Sequence, residues 1–287
     1  MPDLTRDLHA LCADLHSHSF HSDGTMAPGD VVRRASDQGV GLYALTDHDE
    51  ISGLAEARAA AAERSLAFVP GVEVSVTWGQ TTLHILGLGV DGDDATLRQR
   101  LADVRSGRTR RAKDIDASLA AAGISGTFEG ALRHAENPMM IARTHFARFL
   151  VEQGVCRDVR EVFKRYLVEG KPGYVPHRWA TLAEAVDMID AAGGVAVVAH
   201  PARYRFDELA LHALLEEFRD AGGTALEVVT SNHTADDVRR FTKLALEFGF
   251  EASSGSDFHG PGESPNVELG RVQALAPELT PVWHRFI

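Results

Sequence analysis

The chain has 287 residues, enough for one large α/β domain or for a domain carrying an insertion. At that length roughly three quarters of the unfolded surface is buried, so no disulfide or structural zinc is needed. Hydrophobic content of 44% against 24% charged residues is ordinary globular composition, and the net charge of −12 excludes a protein that coats nucleic acid by general electrostatics.

No apolar run approaches the ~18 residues of a membrane span. Met1 to Asp7 lacks the basic start and apolar core of a secretory leader. Cys12 and Cys156 lie far apart without CxxC spacing and suit reduced thiols of a cytoplasmic protein.

In chain order, the apolar stretch Leu8 to Leu15 predicts a short buried strand, running into Asp14-Leu15-His16-Ser17-His18 and then Ser22-Asp23-Gly24. In an extended chain residues two apart share a side, so His16 and His18 present their imidazoles together. Pro28 to Gly39 predicts a helix, Val40 to Thr46 a strand ending in Asp47-His48-Asp49, and Ser52 to Ser65 a second helix. Leu66 to Val76, carrying Glu73, predicts a strand pair or one strand interrupted at Pro70-Gly71, and Thr82 to Val90 another strand with His84 near its start.

From Asp93 to Leu167 the pattern is helical only: Asp94 to Ala122, Thr127 to Ala135, Ile141 to Gln153 and Asp158 to Val168. Gly170-Lys171-Pro172-Gly173 closes this block with turn chemistry. Alternation then resumes, with helices at Thr181 to Ala192, Asp207 to Ala221 and Thr234 to Phe248. Strands are expected at Val195 to Ala199, ending in His200-Pro201, at Ala225 to Val229, and at Phe250 to Gly255, running into Ser256-Asp257-Phe258-His259. Seven strands alternating with helices predict a parallel sheet. A closed barrel is the better solution, because it brings the polar strand ends to one mouth.

Those ends supply His16, His18, Asp23, His48, Glu73, His84, His200, Asp257 and His259. Singly, each is as ordinary as any solvated side chain. Gathered on one rim they carry a desolvation cost that metal ions relieve. Mixed imidazole and carboxylate ligation without thiolate suits two or three ions of manganese, iron or zinc.

These motifs resemble the four motifs of the PHP (polymerase and histidinol phosphatase) superfamily. The resemblance implies a distorted seven-stranded (β/α) barrel formed by residues 1–92 and 172–287, with an all-α insertion at 93–171. It further implies a trinuclear centre, usually manganese, with zinc, iron or magnesium as alternatives. One metal would take His16, His18, Glu73 and Asp257; a second Asp23, His48 and His259; a third Glu73, His84 and His200, with Glu73 bridging.

The insertion and Ile141-Ala142-Arg143-Thr144-His145-Phe146 are similar to a narrower group, the bacterial nucleoside 3',5'-bisphosphate phosphatases, also described as 5'→3' exoribonucleases. Arg98 to Lys113 holds seven basic residues and one acid, Asp103. Much of that is compatible with a solvated helix face. On so acidic a chain, however, Arg108, Arg110, Arg111 and Arg143 point to an anionic substrate. The expected substrate contacts are those four arginines with Thr144, His48 and His259, and the expected catalytic residues are His48, Glu73 and His259. His145 is open between phosphate binding and packing, and Asp14, His21, Asp47 and Asn232 are expected to orient ligands.

The chemistry so implied is in-line hydrolysis of a phosphoester by a metal-bridging water, on a nucleotide or short RNA. No obligate protein partner is implied. A histidinol-phosphate phosphatase on the same barrel would need no second cationic cluster. A nucleic-acid-binding module without catalysis would retain RNA after metal removal.

Overall fold

The computed structural model describes residues 8–287, so the expectation for Met1 to Asp7 lies outside the described residues. Seven strands follow one another in a single sheet: β1 Ala13–Asp14, β2 Leu42–Leu45, β3 Ala67–Trp78, β4 Thr81–Leu88, β5 Val195–Val198, β6 Ala225–Thr230 and β7 Glu251–Gly255. Its two edges meet. Leu15 N donates to Ser254 O (3.0 Å), Asp257 N to His16 O (2.8 Å) and His18 N to Phe258 O (2.8 Å), which closes a distorted α/β barrel.

The helices are α1 Pro28–Asp37, α2 Leu54–Glu63, α3 Ala95–Arg105, α4 Arg108–Ala121, α5 Thr127–Leu132, α6 Arg143–Glu152, α7 Val159–Val162, α8 Leu182–Ala191, α9 Glu208–Asp220 and α10 Ala235–Phe248. Local chemistry explains their ends. Pro28 opens α1, whose Val31, Val32 and Ala35 are buried. Reciprocal capping pairs, Thr181 with Glu184 and Thr234 with Asp237, start α8 and α10.

The sheet is not wholly parallel, as the strand–helix alternation had predicted. β4 runs antiparallel to both β3 and β5. Only Gly79 and Gln80 separate β3 from β4, too short a link for the crossover a parallel pair needs. Pro70-Gly71 does not interrupt β3 either. Pro70 is the last residue paired with β2 and Gly71 the first paired with β4, so the missing proline N–H falls between two ladders. The predicted opening strand shortens to β1. Residues 8–10 are helical, with Leu8 O accepting from Trp283 Nε1 (3.0 Å) of the C-terminal segment.

Two hydrophobic cores result. The larger fills the barrel and the layer beneath its helices, and it includes Leu97 and Leu101 of α3. The smaller joins Ile115 and Leu119 of α4 to Phe146, Phe149 and Leu150 of α6, and to Val162 and Leu167. One helix was expected from Asp94 to Ala122; the chain breaks at Ser106-Gly107 and packs each half on a different core. The break lies where a Cβ on Gly107 would stand 2.2 Å from the His177 ring. Residues 163–167 after α7 are π-helical, a feature often found beside functional sites.

Barrel closure leaves no room at Gly255, where a Cβ would stand 2.3 Å from the Cβ of His16 and 2.7 Å from its backbone nitrogen. Gly255→Ala is expected to lose about 1–3 kcal/mol of stability, read as a lower urea midpoint. An unchanged midpoint would show that the seam relaxes freely.

Candidate metal centre and its arginine-lined cleft

His16 and His18 leave β1, Asp23 follows on the next turn, and His48 follows β2. Glu73 stands inside β3, His84 inside β4, His200 just past β5, and Asp257 and His259 just past β7. Because β4 is reversed, His84 reaches the same mouth from the first half of its strand, opposite Ser75. His200 (φ 29°) and Asp257 (φ 56°) hold left-handed backbone conformations, a strain that neighbouring structure must impose.

All nine side chains converge. His16 Nε2 and His18 Nε2 each lie 3.2 Å from Glu73 Oε2, and 3.4 and 3.2 Å from Asp257 Oδ1. Glu73 Oε1 lies 2.9 Å from His84 Nδ1 and 3.0 Å from His200 Nε2, which are 3.4 Å apart. Asp23 Oδ1 is 3.3 Å from His259 Nε2, 3.8 Å from His48 Nε2 and 3.9 Å from His18 Nδ1. Donors sharing one ion at ~2.1 Å stand roughly 3.0–3.4 Å apart. The first two groups already have that spacing, and the third is slightly wider.

Among the described residues, His16 Nε2, Asp23 Oδ1, His48 Nδ1 and Glu73 Oε2 are buried without a hydrogen-bond partner. Such orphaned donors, with no thiolate near, fit divalent cations. Protonation points the same way. Burial would raise Asp23 and Glu73, yet His259 and His48 hold Asp23 well below the carboxylate range, and His48, His84 and His16 do the same to Glu73. Burial pushes His48 well down and, with Arg203, His200 to about 4. Burial also opposes a charge on His18, but bonds to Asp257 and Glu73 lift it to about 10. Cation binding at such a site displaces protons of this kind.

Surrounding groups hold the donors in place. Asp47 accepts from Ser19 N (2.8 Å), Ser19 Oγ (2.6 Å) and Ser22 Oγ (2.5 Å), shaping the turn that carries Asp23. Asp14 accepts from Ser256 N and Gly270 N, both at 2.8 Å, fixing the segment before Asp257. His21 instead bonds the exposed Ser52 (2.8 Å). Asn232 faces Arg203 with its amide oriented to accept from that guanidinium (2.8 Å).

Sequence reasoning missed Glu227, buried in β6, whose Oε1 lies 3.1 Å from His16 Nδ1 and whose Oε2 accepts from His200 N (2.5 Å). A lone carboxylate in the apolar run Ala225-Leu226-Glu227-Val228-Val229 was the available signal. It missed Arg203 as well, which pairs with Asp257.

The donors open onto a cleft of about 190 Å³ that Arg108, Arg111, Arg143, Phe163, Trp179 and Arg203 also line. Arg108 is buried, pairs with Asp49, donates to Ser75 Oγ (3.2 Å) and lies 4.7 Å from the Trp179 ring centre. Arg111 lies 5.4 Å from the same ring centre and donates to Val175 O (3.0 Å). Arg143 lies over Phe163 and donates to Leu167 O (3.1 Å) in the π-helical run. Burial and the like charges of Arg143 and Arg108 push Arg111 down to about 9, and burial with Arg108 lowers Arg143. Three cations crowded this way gain from an anion among them.

One expected contact lies elsewhere. Arg110, two residues along α4, is exposed and lines a separate cleft with Arg178 and His177. Thr144 lines the donor cleft, and its Oγ1 donates to Asp23 Oδ2 (2.8 Å). His145 packs: Nδ1 accepts from Ala142 N (3.0 Å) at the start of its own helix, and burial lowers it to about 4, keeping it neutral.

A model of the PHP domain family matches residues 14–235. A 3',5'-nucleoside bisphosphate phosphatase of Chromobacterium violaceum is 50% identical over 270 residues, 94% of each chain. The 5'-3' exoribonuclease Rnm of Salmonella typhimurium is 41% identical over 277 residues, 96% of this chain and 94% of its own. A solved Chromobacterium violaceum structure, described as an amidohydrolase with bound sulfate and no metal, has a TM-score of 0.92 at 50% identity, covering 96% of this chain and 95% of that one. One from Bifidobacterium adolescentis, assigned as a metal-dependent phosphoesterase, has a TM-score of 0.79 at 27% identity, with coverages of 94% and 92%.

Glu73→Gln is expected to lower bound divalent metal and turnover together after chelation and metal add-back, as read by elemental analysis. Full turnover in that variant would rule out a shared carboxylate. Glu227→Ala is expected to weaken metal binding by about 10–100-fold.

Proposed function

The chain belongs to the PHP domain family, and on that footing we propose that it is a divalent-metal-dependent phosphoesterase. It removes the 3'-phosphate of nucleoside 3',5'-bisphosphates and trims short 5'-phosphorylated RNA in the 5'→3' direction. The observation that carries this is the cleft, in which Asp23, His48, His84 and His259, at the edge of the nine-residue donor cluster, share one lining with Arg108, Arg111 and Arg143. A substrate with two phosphates uses both ends. A histidinol phosphate uses one and leaves Arg111 and Arg143 without an anion, Arg108 being paired with Asp49.

His16, His18, Glu73 and Asp257, then Asp23, His48 and His259, then Glu73, His84 and His200 are the residues that would hold the ions. Bound there, divalent ions would supply an ionised water near neutral pH and offset charge on the phosphoryl oxygens. Manganese is our assignment, from the imidazole and carboxylate donors.

The chain's own residues do the remainder. Arg108, Arg111 and Arg143 grip the phosphate that is not hydrolysed, and their fixed distance from the donors sets the other phosphorus in line. Trp179 backs Arg108 and Arg111, so the guanidinium planes stay oriented. Arg203, held on Asp257 and 45% exposed, offers its remaining N–H groups to the phosphate at the donors. His48 and His259, on the cleft wall, stand beside the transferring phosphate as donors to the ion, with no ring N–H left over for it. Free thiols at Cys12 and Cys156 suit the reducing cytoplasm, and no helix among the described residues is long and apolar enough to cross a membrane.

With manganese supplied, phosphate release is expected to be faster from adenosine 3',5'-bisphosphate than from histidinol phosphate, with 5'-mononucleotides released from a 5'-phosphorylated RNA. Preference for histidinol phosphate would overturn the assignment. Arg143→Ala should raise KM for the bisphosphate by about 10–100-fold and leave adenosine 3'-phosphate, which lacks the gripped group, nearly unchanged.

A further inference from the structure

We propose that the cleft bounded by Thr25, Arg148, Val151, Val159, Arg160 and Pro265 is the subsite for the nucleotide that follows the scissile phosphate of a 5'-phosphorylated oligoribonucleotide. This rests on the function proposed above. The cleft encloses about 640 Å³, within the range that ligands of nucleotide size occupy.

It borders the donor end of the catalytic cleft. Thr25 N donates to His259 O (2.8 Å), and Arg148 Nη2 donates to Asp23 O (2.5 Å) while its Nε holds Glu263 (3.0 Å). Two metal donors therefore sit directly behind its wall. Its lining shares no residue with the arginine-lined cleft.

Its lining balances three arginines against three acids, and one cation, Arg160, is left over for a phosphate. Each acid present is already engaged: Glu152 by His134 (2.9 Å) and Arg133 (3.7 Å), Asp158 as the cap of α7, and Glu263 by Arg148. Arg157 pairs with Glu161 (3.1 Å). Arg160 is exposed and makes no hydrogen bond or ion pair among the described residues. Val151, Val159 and Pro265 supply an apolar wall for a sugar and base.

Polarity of the substrate selects this cleft over the other. With the 5'-phosphate on Arg108, Arg111 and Arg143, the 3'-phosphorus lies at the donors and the rest of the RNA must leave from the donor end. The cleft of about 410 Å³ holding Arg110 and Arg178 shares Trp179 with the arginine end. A 5'-phosphorylated chain has already ended there.

Bond changes agree with this direction. Water adds its oxygen to phosphorus, the P–O3' bond breaks, and the proton passes to O3'. The first nucleotide leaves with a free 3'-hydroxyl, and the phosphate stays on the downstream chain as its new 5'-phosphate. That product carries the group the arginines grip. The same bond breaks in a nucleoside 3',5'-bisphosphate.

The test compares kcat/KM on adenosine 3',5'-bisphosphate and on a 5'-phosphorylated adenosine tetranucleotide, using the manganese-loaded full chain. Arg160→Glu is expected to lower the tetranucleotide-to-bisphosphate ratio about tenfold, with Arg160→Ala giving a smaller drop in the same ratio. An unchanged ratio in both variants overturns the proposal. So does a fall in that ratio in Arg110→Glu/Arg178→Glu instead. A wild-type enzyme that hydrolyses the bisphosphate and not the tetranucleotide sinks the cleft assignment together with the RNA activity, and leaves the bisphosphate phosphatase standing. One that hydrolyses neither sinks the function beneath it.

Discussion

Glu73 is buried completely, and five imidazoles stand within 3.2 Å of its two oxygens: His16, His18, His48, His84 and His200. Isolating a carboxylate from water costs several kcal/mol unless opposite charge or hydrogen bonds compensate. Much of the barrel's shape serves that requirement. The seam between β7 and β1 brings His16 and His18 inward, the reversal of β4 turns His84 toward the same carboxylate, and left-handed backbone at His200 and Asp257 directs two more donors. A wider or fully parallel barrel would leave Glu73 short of partners.

The helical block is tied to this centre by polar contacts, not only by packing. Thr144 bonds the Asp23 side chain, Arg148 bonds its backbone carbonyl, and Arg108 pairs with Asp49, next to the donor His48. Arg108 and Asp49 are both buried, and removing one partner of such a pair typically costs about 3–5 kcal/mol. The arginines therefore stand at a set distance from the metal donors. Positioning of the proposed two-phosphate substrate would follow from stiffness, with no need for a moving lid.

Most of the donor set was legible in the sequence because strand geometry is periodic. Alternation makes His16 and His18 neighbours, and barrel closure makes strand ends neighbours. What failed depends on contacts that sequence spacing does not encode. The reversal of β4 is the exception: the predicted strands Leu66 to Val76 and Thr82 to Val90 leave about five residues between them, too few for a parallel crossover, so it was legible in the spacing. Arg110 looked equivalent to Arg108 and Arg111, yet residues two apart on a helix face nearly opposite ways. Glu227 was visible as a charge in an apolar strand, but its value became apparent only when β6 placed it behind His16. Trp179 gave no signal, since nothing local shows that a tryptophan will back two arginines from α4.

A chain with net charge −12 repels RNA at long range, so its affinity must be local. Cations crowded in a poorly solvated cleft provide this, because burial that destabilises Arg111 and Arg143 when alone strengthens their attraction for a phosphate. Arginine serves better than lysine here. Its planar fork bonds two oxygens at once and stacks on Trp179 while doing so. The acidic surface then limits binding to nucleic acid that offers no free 5'-phosphate. A phosphatase of small bisphosphates and an exonuclease of short RNA thus need no separate explanations. Both need one phosphate gripped, one phosphorus placed at the metal donors, and an opening on the far side of that phosphorus.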